Sequence, residues 1–476
     1  MSASVHSITT VDCQAAGSLW REAYLEKLDT IMDTLESRPM SHLGDITGSI
    51  LENKSGILGE LAWGLIACHQ QELLAQEILT CPHCGKLLKK RGAHSRQVET
   101  LVGTIRIERP FFYCASCKKG LYPMDEALGL APEVRQYDLQ DIEAWLGSEL
   151  PFETAAEAIE RCTGQTTSAH TVHDATNAIA QEITILDVCP TREEIEAKVK
   201  RFSQGKFRRP VLMLAVDGAN APVRPEPSGR SEKRGKNDWR EVKGFRLYLL
   251  DPNDMEHIAS WHQIGTDEDL TASLRQIRDA GLIDDRNARL CVVADGAPWI
   301  WNRIGEIFPN AREVLDFYHC SEHLHKVAGA QYGKGSREAR EWVDATITRL
   351  FDSRIWHVLS GLECMKPSSD EAKKEISNLM SYLRQHKERI DYGRAKRGGY
   401  HIGSGAIESA NKFIAHVRLK RSGASWYPTH VNDILKLRCA KANGLYDRVV
   451  ELYRKRDQEK LRLLRSSGPE GGSPNP

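Results

Sequence analysis

No apolar run in the chain approaches the roughly 18 residues needed to cross a bilayer, so no membrane-spanning helix is expected. The Met1–Gln14 segment lacks the basic-then-apolar layout of a signal peptide, which points to an intracellular protein. There is no excess charge of either sign: Lys+Arg and Asp+Glu are both 65, for a formal net charge of +0. A nucleic-acid site must therefore come from local segregation of charge rather than from a basic chain. Nor is there an internal repeat, so the chain is not an array of like units.

What is present is length. A chain of 476 residues is too long for one ordinary core and favours three or four units. Apolar content of 41% and charged content of 27% are ordinary for a folded soluble protein. Of twelve cysteines, four form two Cys-x-x-Cys pairs. In a reducing compartment that pairing suggests metal rather than disulfides.

The apolar spacing organises the chain as multidomain α+β. Residues 1–77 read as a helical N-terminal segment, with Leu58, Leu61 and Leu65 at helical spacing. Residues 78–125 carry both cysteine pairs around a β-type stretch, Thr104 to Tyr113, and read as a zinc ribbon. Residues 126–205 are helical and break at Thr163-Gly164, where the turn of a helix-turn-helix would sit. Residues 206–450 alternate strands and helices and imply an α/β domain. Its strands are expected at Val211–Val216, Phe245–Leu250, His257–Ile264, Leu290–Ala294 and Glu313–Asp316. From about 319 to 400 only helical periodicity is found, so a helical insertion interrupts the sheet. Residues 451–476 read as a charged helix end and a tail, disordered from Ser466 onward.

Cys81-Pro-His-Cys84-Gly and Cys114-Ala-Ser-Cys117 are spaced as two knuckles that suit tetrahedral Zn²⁺. With four ligands no position is left for water, so the zinc is expected to be structural. Four unrelated buried thiols are the alternative. Phe152 to Ala178, with Gly164 at the turn and Ser168 as N-cap, suits a helix placed in a DNA major groove. A plain helical pair packing on its neighbours fits equally.

The acids carry the chemistry. Asp217 and Asp295 each end an apolar strand and each precede Gly-Ala. Adjacent parallel strands would bring the two carboxylates together. Metal-assisted phosphoryl chemistry needs two or three such oxygen ligands around a metal pair. Asp-Gly at a strand end is also a common turn. A third acid is best sought after the insertion, where Gly403-Ser-Gly-Ala-Ile-Glu408 opens an amphipathic helix. A Glu in a first helical turn also simply complements the helix dipole. From Asn411 to Lys441, however, there are seven Lys and Arg residues against Asp433 alone, a phosphate-binding signature beside the acid.

At this point the chain resembles bacterial insertion-sequence transposases of the ISKra group. The likeness is carried by Asp217-Gly-Ala, Trp239-Arg-Glu-Val-Lys243, Ala294-Asp-Gly-Ala-Pro-Trp299, Asp316-Phe-Tyr-His319, Gly403 to Glu408, Arg418 to Gly423 and Trp426, in that order. The Cys-Pro-x-Cys-Gly knuckle, the strand Gly103 to Pro110 and the second knuckle match too, so the resemblance runs from about Cys81 to Leu437. It implies a ribonuclease-H-like catalytic domain with a mixed sheet, in which Asp217, Asp295 and Glu408 hold catalytic Mg²⁺ (or Mn²⁺). It assigns Asp316 and His319 a supporting role, although Cys320-x-x-His323 overlaps that motif in another register. It implies phosphate contacts by Lys412, Arg418, Lys420 and Arg421, and zinc on Cys81, Cys84, Cys114 and Cys117. The expected reaction is hydrolysis at transposon ends followed by transfer of the freed 3′-hydroxyl into target DNA. The expected partners are double-stranded terminal repeats, target DNA and further copies of the chain, in the bacterial nucleoid. A DNA-binding regulator without catalysis, and a nuclease or resolvase on the same fold, are the alternatives.

Overall fold

The computed structural model describes residues 10–39, 42–224, 238–251 and 254–466. The polar loop at 225–237 and the tail beyond Ser466 lie outside the described residues. The chain divides into two compact units, Met1–Ile179 with Val450–Pro476, and Ala180–Val449.

The first unit opens with helices Thr10–Glu36, Leu43–Glu52 and Glu60–His69. A four-stranded antiparallel sheet comes next, of β1 (Ile78–Thr80), β2 (Leu87–Thr100), β3 (Gly103–Cys114) and β4 (Lys119–Leu121). Period-two alternation is visible in β3: Ile105 and Ile107 are buried, while Thr104 and Arg106, which alternate with them, are exposed. That apolar face packs with Val98 and Met124, and Trp63, Ile66 and Leu74 cover it. Beyond the sheet lie the helices Tyr137–Gly147, Phe152–Thr163 and Ala169–Ala180. Gly164 closes the second with φ 70°, and the Ser168 hydroxyl accepts the Thr171 N–H at 3.1 Å, capping the third. Ala155, Ile159 and Val172 form the small core between them.

The second unit is built on a five-stranded mixed sheet: β5 (Val211–Val223), β6 (Asp238–Asp251), β7 (Asp254–Ile264), β8 (Arg289–Ala294) and β9 (Arg312–Leu315). Their spatial order is β7-β6-β5-β8-β9, with β5, β6 and β7 an antiparallel meander and β5, β8 and β9 parallel. Every residue from Val211 to Val216 is buried, as a strand covered on both faces requires. Helices Phe317–Tyr332, Arg337–Phe351, Ile355–Cys364, Asp370–Gln385 and Tyr392–Arg397 fill the interval after β9. The chain then returns to the sheet at Gly405.

One strand differs from the sequence reading. β5 does not stop at Val216 but continues to Val223, paired throughout with β6 from Leu250 back to Asp238. Its second half, Gly-Ala-Asn-Ala-Pro-Val, has no apolar alternation; the hairpin partner holds it extended. The parallel pairing with β8 does stop at Val216↔Ala294. Asp217 therefore sits in mid-strand, at the point where the sheet opens on its β8 side.

Candidate functional site

In the ribbon, the four cysteine sulfurs lie within 4.8 Å of one another. Cys81 Sγ to Cys117 Sγ is 3.9 Å and Cys84 Sγ to Cys114 Sγ is 3.6 Å. A tetrahedral zinc with Zn–S of about 2.3 Å needs sulfurs about 3.8 Å apart, so this set fits it. Each knuckle is a local turn. Gly85, at φ 72°, donates its N–H to Cys81 O, and the Cys117 N–H points at Cys114 Sγ. That backbone bond, with hydrogen bonds from the other thiols, draws the Cys114 thiol down to about 7. Its neighbour Cys117, hydrogen-bonded to Cys84 in the opposite role, is pushed up to about 12. Four thiols contending for protons in this way are what a cation resolves.

The second unit brings four of the acid-site residues together. Asp217 and Asp295 come directly after the register pair Val216↔Ala294 on adjacent parallel strands. Each is anchored by its own backbone: Gly218 N–H donates to Asp217 Oδ1 at 2.8 Å, and Ala297 N–H to Asp295 Oδ1 at 2.9 Å. Burial, with the nearby charges of Asp295 and Asp316, raises the Asp217 carboxyl to about 6, although the Gly218 bond and His319 oppose the rise. Asp316 is 1% exposed and caps the helix Phe317–Tyr332 through Tyr318 N–H. Burial opposes its ionisation, but hydrogen bonds from His319, Ser404 and Tyr318 outweigh it and hold the carboxyl below its usual range. His319 Nδ1 lies 3.1 Å from Asp316 Oδ2. That bond comes first, and the charges of Asp316, Asp295 and Asp217 add to it, raising His319 to about 9. At neutral pH it is an imidazolium facing three carboxylates. The alternative register does not form a site: Cys320 is fully buried in its helix and His323 stacks on Tyr382. Among the described residues, only the four ribbon cysteines are grouped closely enough to hold a metal ion as they stand.

Glu408 is placed differently. It lies in the helix Gly405–Ala410, which returns over the sheet after the insertion, but its side chain is 60% exposed and pairs with Lys412 at 2.7 Å. The residue that reaches Asp217 from this segment is Asn411, whose Nδ2 donates to Asp217 Oδ2 at 2.8 Å. Asn411 Oδ1 in turn faces His262 Nε2 at 2.9 Å. Asp217, Gly244 and His262 are register partners across β5, β6 and β7. Glycine at 244 is required there, since a Cβ would stand 2.5 Å from the His262 ring. Sequence reading missed Asn411, His262 and Gly244, because cross-strand register leaves no local pattern. Asn411 also opens a π-helical turn, Asn411–His416. Such wide turns recur at functional sites, but the turn shows only in the backbone and not in the residue pattern.

The basic residues divide. Lys412, Lys420 and Arg421 are exposed. Arg418 is 3% exposed with its guanidinium 4.5 Å from the Trp426 ring centre, and Arg438 is 1% exposed and donates to Ile414 O. Both count in the sequence's basic excess, yet neither presents its charge to solvent. Arg418 is thus corrected from a phosphate contact to a buried brace. Lys420 Nζ instead lies 5.8 Å over the exposed ring of Trp239.

The profile of an uncharacterised family, UPF0236, matches residues 87–456, which takes in the ribbon from β2 onward with its second knuckle, the helices after it and the acid-site residues of the second unit, but not Cys81 and Cys84. The chain belongs to that family. It is 26% identical over 365 residues to the "UPF0236 protein in vanSb 3'region" of Streptococcus gallolyticus, covering 74% of each chain. Among solved structures, a chain of the "Drosophila P element transposase strand transfer complex" aligns over 69% of this chain and 85% of its own. The identity is 13% and the TM-score 0.25, at which two chains need not share a fold. Among the described residues no helix is long and apolar enough to cross a membrane.

Proposed function

We propose that the chain is a metal-dependent DNA transposase whose second unit is a ribonuclease-H-like catalytic domain. The observation that carries this reading is the pair Asp217 and Asp295 at the ends of adjacent parallel pairing, backed by Asp316 and His319. The likeness to ISKra transposases in the motifs around these residues supports it. So does the strand order, an antiparallel meander extended by two parallel strands.

The residues fit a divalent cation. Burial and then the nearby charge of Asp295 oppose ionisation of Asp217, which a bound cation relieves. Mg²⁺ or Mn²⁺ held there, with Glu408 as third ligand, would stabilise the attacking and leaving oxygens of a phosphodiester. For Glu408 to join, it must release Lys412 and turn inward. Asn411 fixes the Asp217 carboxylate from the side away from Asp295. His319, held by Asp316, offsets the negative charge of the cluster and orients the site. Lys412, Lys420 and Arg421 bind backbone phosphates around the scissile bond. The ribbon, with structural Zn²⁺, and the helices Phe152–Thr163 and Ala169–Ala180 take the terminal repeats. The ribbon and Arg161 of Phe152–Thr163 supply the charge for this, because Ala169–Ala180 contains no Lys or Arg. Assembly of several copies on paired ends follows from the need to join two ends to one target.

The outward, ion-paired Glu408 favours a second reading, a zinc-stabilised DNA-binding protein without catalysis. A strand-transfer assay decides. DNA carrying the sequences that flank the coding region is incubated with Mg²⁺ or Mn²⁺ and native, Asp295→Asn or Glu408→Gln protein. Metal-dependent joining lost in both variants is the expected result. Cutting without joining would identify a nuclease or resolvase. Binding without cleavage, alike in all three proteins, would leave the regulator.

A further inference from the structure

A large cavity of the second unit is lined by none of the acid site's carboxylates. It has a volume of 1350 Å³ and lies over the face of the sheet that carries Arg246 and Leu250 of β6. Its other wall is the segment from Lys396 to Ala406, between the last insertion helix and the helix bearing Glu408. At one end it reaches Arg209 and Arg289, beside the first residues of β5 and β8. At the other it reaches Tyr318, Gly403 and Ser409. Residues two apart on a strand share a face, so Arg246, two residues on from Gly244, points to the same side as Asp217, the register partner of Gly244. Asp217 lies six residue steps along β5 from Val211, about 20 Å at about 3.3 Å per residue. The cavity is a trough along the sheet, and at its Tyr318 and Gly403 end it adjoins Asp316, which accepts hydrogen bonds from Tyr318 N–H and Ser404 N–H.

Its charge is one-sided and unneutralised. Lys206 pairs with Asp251 at 2.5 Å. Arg208, Arg209, Arg246, Arg289, Lys396 and Arg397 have no carboxylate partner among the described residues, in a protein whose net charge is +0. Backbone carbonyls position several of them instead. Arg246 donates to Ala406 O at 3.1 Å, Arg289 to Gly398 O at 2.7 Å, and Arg209 to Arg286 O at 2.6 Å. The Arg246 Nε is buried with no hydrogen-bond acceptor. Carbonyls aim a guanidinium without cancelling its charge, so the trough is built to receive an anion. Aromatic faces alternate with the cations: Tyr400 lies under Arg289 at 5.2 Å, and Tyr318 is 65% exposed at the mouth.

We propose that this trough binds a single strand of DNA and leads it to the acids. The volume exceeds the roughly 300–1,000 Å³ of a small-molecule site, and cations spread along a groove with exposed rings are the makeup of single-strand sites. The two walls touch where Arg208 donates to Arg397 O at 3.4 Å, which narrows the trough there. The proposal rests on the transposase reading for the choice of DNA, and for nothing in the binding itself.

The test is fluorescence polarisation with a labelled oligo-dT single strand and a duplex of equal length, without added divalent metal. Native protein is compared with Arg208→Glu/Arg397→Glu and with Lys412→Glu/Arg421→Glu, all substitutions at exposed positions. The first pair is expected to weaken single-strand binding about tenfold or more, with a shallower salt dependence, and to leave duplex binding within about twofold. The second pair is expected to weaken duplex binding instead. Arg209→Glu alone gives a smaller loss in the same direction and guards against a folding defect in the double variant. Single-strand affinity within twofold of native in the first pair, or an equal loss for duplex, overturns the trough. Single-strand binding that survives in a protein with no cleavage activity keeps the trough and removes the transposase reading, so the two fail separately.

Discussion

The ribbon and the acid site are both places where side chains from distant parts of the chain converge, yet they are specified in opposite ways. The ribbon takes its ligands from two four-residue knuckles, each folded by its own turn, and one hairpin brings the knuckles together. The acid site takes Asp217 from a strand middle, Asp295 from a strand end, Asp316 from a helix cap and its last member from a helix beyond an insertion. In the first, spacing along the chain is already geometry. In the second, spacing fixes which residues arrive, but register and helical phase decide which way they point. That is why the four thiols stand ready for an ion while Glu408 stands outward on Lys412.

Disabling the ribbon's four-thiol cluster is the sharpest way to break this comparison. Cys114→Ser, or a zinc chelator, is expected to abolish bound zinc by elemental analysis and to open Leu87–Cys114 to limited proteolysis, because the cluster holds the knuckles together. Asp295→Asn is expected to do the reverse: metal-dependent cleavage falls by on the order of 10³-fold or more, while the melting temperature is unchanged. Proteolytic opening by the aspartate variant would show that the acid site, too, is a folding element.

The row behind the acids has its own acid sensitivity. Burial holds His262 down at about 4, the Asn411 bond only partly offsetting it, and burial likewise holds His257 at about 4. The unfolded value is about 6.5, so the unfolded chain binds these protons first. Stability is complete above pH 6.5 and is lost as the pH falls towards 4. For His262 the loss is about 3 kcal/mol. Urea unfolding at several pH values is expected to show this slope, and His262→Gln to flatten it. A smaller effect belongs to Gly296, directly after Asp295. A Cβ there would stand 2.6 Å from the ring of Tyr382, brought in by the insertion helix Asp370–Gln385. Gly296→Ala is expected to cost about 1–3 kcal/mol, relieved when Tyr382→Ala is added. Smallest of all, Lys412→Gln removes an exposed ion pair and is expected to change stability by less than about 1 kcal/mol. A larger change would mean that the outward Glu408 is a structural fixture.

Much of the frame was legible because local patterns carry it. The apolar runs Val211–Val216 and Leu290–Ala294 mark covered strands, the cysteine spacing marks the ribbon, and Thr163-Gly164 with Ser168 marks two helix ends. The far half of β5 was not legible, since pairing with β6 rather than its own residues keeps it extended. Counting Lys and Arg gives charge but not direction, so Arg418 and Arg438 looked like surface when they are interior. The Asn411–His262 contact is 149 residues long in sequence and exists only through two strand registers and a glycine between them.

The π-helical turn Asn411–His416 sets the angular phase between the helix Gly405–Ala410 and the basic stretch that begins at Val417. Each residue of an α-helix advances the side chains by about 100°, and a π turn holds one residue more than the α-helix would. The widened turn absorbs that extra residue, so the helical turn Val417–Leu419 keeps the phase it would have on an uninterrupted helix one residue shorter, while Asn411 gains the room to reach Asp217. Loss of one residue from 411–416 would close that turn, and with it the amide bridge that Asn411 makes from Asp217 to His262.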